Sequence, residues 1–232
     1  MNEHDEHRQR VYRRFLSEGL SGFEEHNALE FLLFLAKARG DTNALAHALI
    51  ARFGSLAGVL DASPEELQQV PGVGFTTAVA LTFIPQMCGY YLNSKVNCSL
   101  PLDSVEAAAA FFMPKFFGKT QENFLAAAVD DRRRLLRCEE ISDGLGNTTS
   151  VSAGKIVAMA TRCSATGIFL AHNHPRGIVL PSSSDLAATR DIFRALGLVH
   201  VELLDHFIFS DNEYLSFAKT SYLATIKEEC GR

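Results

Sequence analysis

The apolar positions fall into two regimes along the chain. From residue 1 to residue 92 they recur at helical spacing. Val11, Tyr12, Phe15 and Leu16 make one stripe of a helix over Arg8–Leu16, with Arg10, Arg13 and Arg14 off that stripe. Asn27–Ala38 predicts a strongly apolar helix through Leu29, Leu32, Leu33 and Ala36, and Thr42–Phe53 predicts another that ends at Gly54 as C-cap. Ser63-Pro64-Glu65-Glu66 has the form of a helix start: a capping serine, proline at the first helical position and acids in the first turn. Thr76–Met87 closes this all-helical domain, and no solenoid-length repeat is present.

Beyond residue 101 short apolar runs alternate with helical stretches. Asp103-Ser104-Val105-Glu106 caps a helix over Val105–Met113. Phe124–Val129 and Leu135–Ile141 read as strands joined by the mixed-charge turn Asp130–Arg134. A helix over Ser152–Thr161, a strand over Gly167–Ala171, a helix over Ser183–Leu196 and strands over Val199–Leu204 and Phe207–Ser210 follow. The pattern predicts an α/β sandwich over residues 102–232. The polar segment Asn93–Pro101 links it to the helical domain of residues 1–92.

Composition narrows the class. The chain has 232 residues, and 47% hydrophobic content suffices for one large or two small cores. No apolar run reaches transmembrane length, so no membrane partner is expected. The polar, acidic start Met1–Glu6 lacks the form of a signal peptide. Five cysteines, an odd count with no Cys-x-x-Cys, read as reduced thiols of a cytoplasmic protein. The net charge of −5 argues against binding nucleic acid mainly by bulk electrostatics.

The chemistry concentrates after the strand Gly167–Ala171, in His172-Asn173-His174 and Asp185. Residues i and i+2 of an extended segment point to one side, so both imidazoles converge at the strand's exit. Asp185 returns a carboxylate from the start of the next helix. Two nitrogens and one oxygen leave a tetrahedral position open, the pattern of a catalytic zinc site. Pro181-Ser182-Ser183-Ser184-Asp185 is also a capping box, with Ser182 as N-cap and Asp185 at the third helical position. The two readings are compatible. Asp205 and His206, between Leu203-Leu204 and Phe207-Ile208, sit within or beside a buried strand and are not counted as ligands.

His172-x-His174, seven residues, Ser182, two residues, Asp185 resembles the JAMM signature of the MPN/JAB metalloprotease superfamily. The closer resemblance is to its bacterial RadC-like branch, through His172-Asn173-His174-Pro175, Pro181-Ser182, Leu204-Asp205-His206 and Tyr214-Leu215-Ser216-Phe217. The resemblance covers most of the chain. It implies a cytidine-deaminase-like α-β-α sandwich with Zn²⁺ held by His172, His174 and Asp185, and hydrolysis of an amide or isopeptide bond in a protein or peptide. Ser182 would assist the oxyanion, and a glutamate on an earlier strand would act as general base and then general acid. Alternation places Glu139 and Glu140 on opposite faces without choosing between them. The branch usually sets its glutamate five residues before a glycine, and Gly144 then selects Glu139. The chain departs from the branch at Ala153-Gly154-Lys155, Arg176 and Ile178, which bears on substrate contacts rather than on the metal.

Leu67 to Ala78, around Gly72-Val73-Gly74, resembles a helix-hairpin-helix, whose backbone N–H groups and second helix N-terminus would meet a phosphate. Residues 1–92 carry seven Lys/Arg against eleven Asp/Glu, and Phe75-Thr76-Thr77 supplies no lysine beside the turn. A tight packing turn is therefore the first reading of Gly72 and Gly74, and weak DNA contact the second. Three functions compete: a zinc metallohydrolase, a DNA-associated repair or recombination factor, and a metal-binding scaffold without turnover. Without Pro-Cys-x-x-Cys, the chain lacks the zinc signature of a nucleobase deaminase.

Overall fold

The structure, a computed structural model, describes residues 3–37, 40–95, 101–141, 152–175, 177–211 and 213–231. It divides into two compact units, Met1–Cys88 and Gly89–Arg232. The first is helical: α1 (Glu3–Glu18), α2 (Glu25–Ala36), α3 (Thr42–Phe53), α4 (Leu56–Leu60), α5 (Pro64–Gln68) and the first part of α6 (Phe75–Lys95). Its core gathers Leu29, Leu33, Leu49, Val59, Leu67 and Leu81. The caps are those the residues predict. Gly54 ends α3 at φ 85, and Ser63 and Glu66 close a reciprocal capping box on α5. Two features differ from expectation. The short α4 follows a Ser55 cap too brief for periodicity to register, and α6 continues through Pro85 to Lys95. Of the linker expected over residues 93–101, residues 96–100 lie outside the described set, and residues 93–95 are helical.

In the second unit α7 (Val105–Phe116) precedes strands β1 (Phe124–Val129) and β2 (Leu135–Glu140). Then come α8 (Ala153–Arg162), β3 (Gly167–Asn173), α9 (Ser183–Leu198), β4 (Glu202–Ser210), β5 (Glu213–Ser216) and α10 (Ser221–Glu229). The sheet order is β2-β1-β3-β4-β5. Among the described strands only β3 and β4 pair in parallel, as the α9 crossover between them requires. One face packs on α8, α9 and α10 through Ile156, Ile168, Leu170, Ile192, Leu196 and Ile226, and the other packs on α7 through Phe112, Phe169 and Phe207. Both faces of the sheet are covered, which makes the three-layer α-β-α sandwich. No helix among the described residues is long and apolar enough to cross a membrane.

The two strands expected over Val199–Leu204 and Phe207–Ser210 are one strand, β4. Asp205 and His206 interrupt its apolar run yet are buried inside it. The pairing slips here: Ile168 faces Leu203, but Phe169 faces Asp205, so Leu204 is an extra residue. This bulge shifts the alternation by one and turns His206 onto the face that carries Leu170 and His172. Burial raises the Asp205 carboxyl above the ordinary carboxylate range, and its hydrogen bonds only partly offset this. It accepts from Ser216 Oγ at 2.5 Å, from the His206 amide at 2.7 Å and from the Ala218 amide at 2.8 Å, which ties β4 to the chain after β5. Asp205→Ala strands these donors, so a loss of about 3 kcal/mol in urea unfolding is expected, with Asp205→Asn milder.

Candidate metal centre

His172 is the last residue but one of β3 and His174 follows the strand, on the same side, with ring centroids 4.8 Å apart. Ser182 and Asp185 form the capping box of α9. The Ser182 amide donates to Asp185 Oδ2 at 2.7 Å, and the Asp185 amide donates back to Ser182 Oγ at 3.2 Å. The cap thereby aims the Asp185 carboxylate at the two rings. Its Oδ1 lies 3.3 Å from His172 Nε2, and Oδ2 lies 3.6 Å from His174 Nε2. The two Nε2 atoms are 3.0 Å apart. With bonds of about 2.0–2.1 Å, ligand atoms on a tetrahedral zinc stand roughly 3.3 Å from one another. The two nitrogens stand near that spacing, and a different Asp185 oxygen faces each ring at 3.3 and 3.6 Å.

The ring of His174 is also oriented for this. Its Nδ1 lies 3.0 Å from the Ile178 carbonyl, which can only accept, so a proton sits on Nδ1 and Nε2 is the nitrogen turned to the cluster. Burial alone would raise the Asp185 carboxyl. Hydrogen bonds from His172 and Ser182, together with the charge of His172, outweigh burial and hold it well below the ordinary carboxylate range, so the group is an anion.

A fourth group completes the cluster, and sequence reasoning missed it. Glu122 Oε1 lies 4.0 Å from His172 Nε2 and 3.9 Å from His174 Nε2. One ligand atom from each of Glu122, His172, His174 and Asp185 lies within 4.8 Å of the others, an arrangement competent to hold a metal ion. Glu122 belongs to the turn that leads into β1, and the middle residue of His-Asn-His holds that turn. Asn173 points away from the rings. Its Oδ1 accepts from the Asn123 amide at 2.7 Å, and its Nδ2 donates to the Gln121 carbonyl at 3.1 Å.

Glu139, expected as the proton carrier, is not brought to the cluster. It lies on the expected face, opposite Ala126, whereas His172 pairs with Phe124. It is thus two strands across and two residues along, on the order of 12 Å by strand spacing. Its carboxylate is held by Arg137, with Arg162 4.0 Å away. Alternation fixes the face of a strand residue but not its place across the sheet. Gly144, whose spacing favoured Glu139, lies outside the described residues, as does Arg176. Glu140 is an exposed carboxylate that accepts from Asn123 Nδ2 at 2.6 Å. The hydroxyl of Ser182 donates to Asp185 Oδ2 at 2.6 Å and would have to leave it to meet a substrate oxygen. Gly72, at φ 93, lies in the turn between α5 and α6, and its carbonyl accepts from Lys37 Nζ at 2.8 Å.

The likeness to known proteins covers both units. A UPF0758 protein of Burkholderia thailandensis is 32% identical over 210 residues, which span 90% of this chain and 80% of that protein. A UPF0758 protein of Burkholderia cenocepacia is 32% identical over 215 residues, 93% of this chain and 84% of its own. One from Paraburkholderia xenovorans is 31% identical over 209 residues, 90% and 83% of the two chains. The family model for the RadC-like JAB domain matches residues 102–222, which contain the whole sandwich sheet and all four residues of the cluster. The chain therefore belongs to the RadC-like JAB domain family.

Proposed function

We propose that the chain is a zinc-dependent hydrolase of an amide or isopeptide bond, with His172, His174 and Asp185 holding the ion. The observation that carries this reading is the convergence of two imidazole nitrogens, one carboxylate and a second, more distant carboxylate within 4.8 Å, in a chain of the RadC-like JAB family. Three protein ligands with one position open is the arrangement of catalytic rather than structural zinc. The ion, when bound, supplies Lewis-acid polarisation and makes water a nucleophile near neutral pH.

The remaining chemistry falls to the chain's own groups. Glu122 stands too far from either ring nitrogen to share their hydrogen bonds, yet its side chain is 38% exposed, so water reaches it. Its carboxylate takes the proton of the attacking water as the new C–O bond forms. It returns that proton to the nitrogen as the C–N bond breaks. Ser182 Oγ, once released from Asp185, donates to the carbonyl oxygen as negative charge grows there. The test is elemental analysis together with hydrolysis of a panel of peptides and isopeptide-linked conjugates on one preparation. Zinc near one per chain with cleavage supports the reading, and a protein that takes up no zinc defeats it.

A second reading keeps the hairpin as a phosphate contact, because the left-handed Gly72 presents its backbone in the manner such contacts use. The acidic helical unit and the commitment of Lys37 to the Gly72 carbonyl weigh against it. DNA binding is expected to be weak, without sequence preference, and to fall steeply with salt. An anisotropy titration giving submicromolar affinity at physiological salt would raise this reading above the first.

A further inference from the structure

A buried chain of hydrogen bonds runs behind the cluster, and the bond from Thr189 to the Asp185 carbonyl sets where its protons lie. Thr189 Oγ1 lies 2.5 Å from the Asp185 carbonyl oxygen and 2.7 Å from His206 Nδ1. His206 Nε2 lies 2.8 Å from His172 Nδ1. Thr189, His206 and His172 are all buried, at 0%, 0% and 1% exposure. A carbonyl only accepts, so the single hydroxyl proton of Thr189 goes to Asp185. The Thr189 oxygen is then an acceptor, and His206 Nδ1 must bring the proton. Both ring nitrogens of His206 are taken and neither partner is a carboxylate, so a ring this deeply buried is neutral. A neutral ring has one N–H, which leaves His206 Nε2 as an acceptor. His172 Nδ1 must donate to it. When His172 is neutral its Nε2 is thereby bare, facing His174 Nε2 and Asp185 Oδ1.

The opposite placement gives up one bond. If His206 carried its proton on Nε2, Thr189 would have to turn its hydroxyl from the Asp185 carbonyl to Nδ1. His172 would then hold its proton on Nε2, inside the cluster. The outer partners of a metal-binding imidazole commonly fix its tautomer. For His174 that partner is a carbonyl, that of Ile178. For His172 it is a second imidazole, which a helical hydroxyl orients and the bulge at Leu204 turns to the correct face.

We infer that His206 and Thr189 are positioning residues that hold His172 in the tautomer with a bare Nε2, and so join the ligand on β3 to the helix that carries Asp185. The inference rests on the cluster being a metal centre. Its test therefore has one arm that needs metal and one that does not.

Thr189→Val removes the hydroxyl at nearly constant volume, and Thr189→Ser keeps it. His206→Leu removes the acceptor, whereas His206→Gln offers an amide oxygen near the place of Nε2. Each full-length variant is first checked for folding by circular dichroism. Zinc affinity is then measured by competition with a chromophoric chelator. Thr189→Val and His206→Leu are expected to bind zinc roughly 10–100-fold more weakly, with Thr189→Ser and His206→Gln near wild type. In the metal-free protein, long-range ¹H–¹⁵N NMR at mildly alkaline pH is expected to find His172 protonated on Nδ1 in the wild type. In Thr189→Val it is expected to shift toward Nε2. Wild-type affinity and an unchanged tautomer in Thr189→Val overturn the inference, as does an equal loss in Thr189→Ser, which would mark a packing effect. If His206→Leu does not fold, the two Thr189 variants carry the test alone. If the wild type takes up no zinc, the metal centre fails as a reading, and the NMR arm still decides the proton placement.

Discussion

Glu122→Gln is expected to leave zinc content unchanged while hydrolysis falls about 10²–10⁴-fold, the usual worth of general acid–base catalysis. Glutamine keeps the size and polarity of the side chain and removes its basicity. Glu122 lies 3.9–4.0 Å from both ring nitrogens, outside the set of closer atoms, so the three residues proposed to hold the ion are untouched. The paired control is Glu139→Gln. That carboxylate is engaged by Arg137, with Arg162 4.0 Å away, two strands from β3, so turnover should stay near wild type. The measurement is kcat/KM on any conjugate the wild type cleaves, with zinc determined on the same samples. Loss of activity in Glu139→Gln with Glu122→Gln intact would reverse the assignment. A wild type that holds zinc and cleaves nothing in the panel would favour a metal-binding scaffold.

The difference between these two glutamates shows what was legible in the sequence and what was not. Periodicity and capping speak about residues inside regular elements. His172 and His174 were legible because strand alternation carries them to one side. Asp185 was legible because the capping box places it on the first turn of α9. Glu122 lies in the polar turn 118–123, where no period operates. Its position comes from tertiary bonds, those of Asn173 to Gln121 and Asn123, which join residues some fifty positions apart. One signal did exist. An antiparallel neighbour of β3 begins where β3 ends, so the residues that precede β1 meet the exit of the histidine strand.

The polar pair inside β4 misled for a related reason. Asp205 and His206 broke the apolar run, so two strands were expected where there is one. They are buried because each has partners: Ser216 and backbone amides for Asp205, Thr189 and His172 for His206. The extra residue at Leu204 cannot be read from alternation, since it is the place where alternation fails. Burial, first among the causes, holds the His206 ring well below the ordinary histidine range. That agrees with a structural neighbour of the cluster rather than a ligand.

His174→Ala is expected to abolish zinc binding without unfolding the protein. The choice between the two histidines matters. His172 is buried, stacks on Phe124 with centroids 5.7 Å apart and bonds to His206, so its removal would open the core as well as the cluster. His174 lies beyond the end of β3 with its side chain 20% exposed. The bond from its backbone amide to Phe209 survives the substitution, at 2.8 Å. What is lost is one of three ligand atoms, and affinity should fall by more than the roughly 10–100-fold that outer partners are worth. Zinc in the wild type should approach one per chain by elemental analysis and be near zero in the variant. Thermal unfolding gives the independent check. A ligand at about 1,000 times its Kd stabilises the folded state by roughly 4 kcal/mol, so added zinc should raise the Tm of the wild type. It should leave that of His174→Ala where the metal-free wild type stands. Equal zinc in both proteins would remove His174 from the centre, and with it the three-ligand arrangement on which the proposed hydrolysis rests.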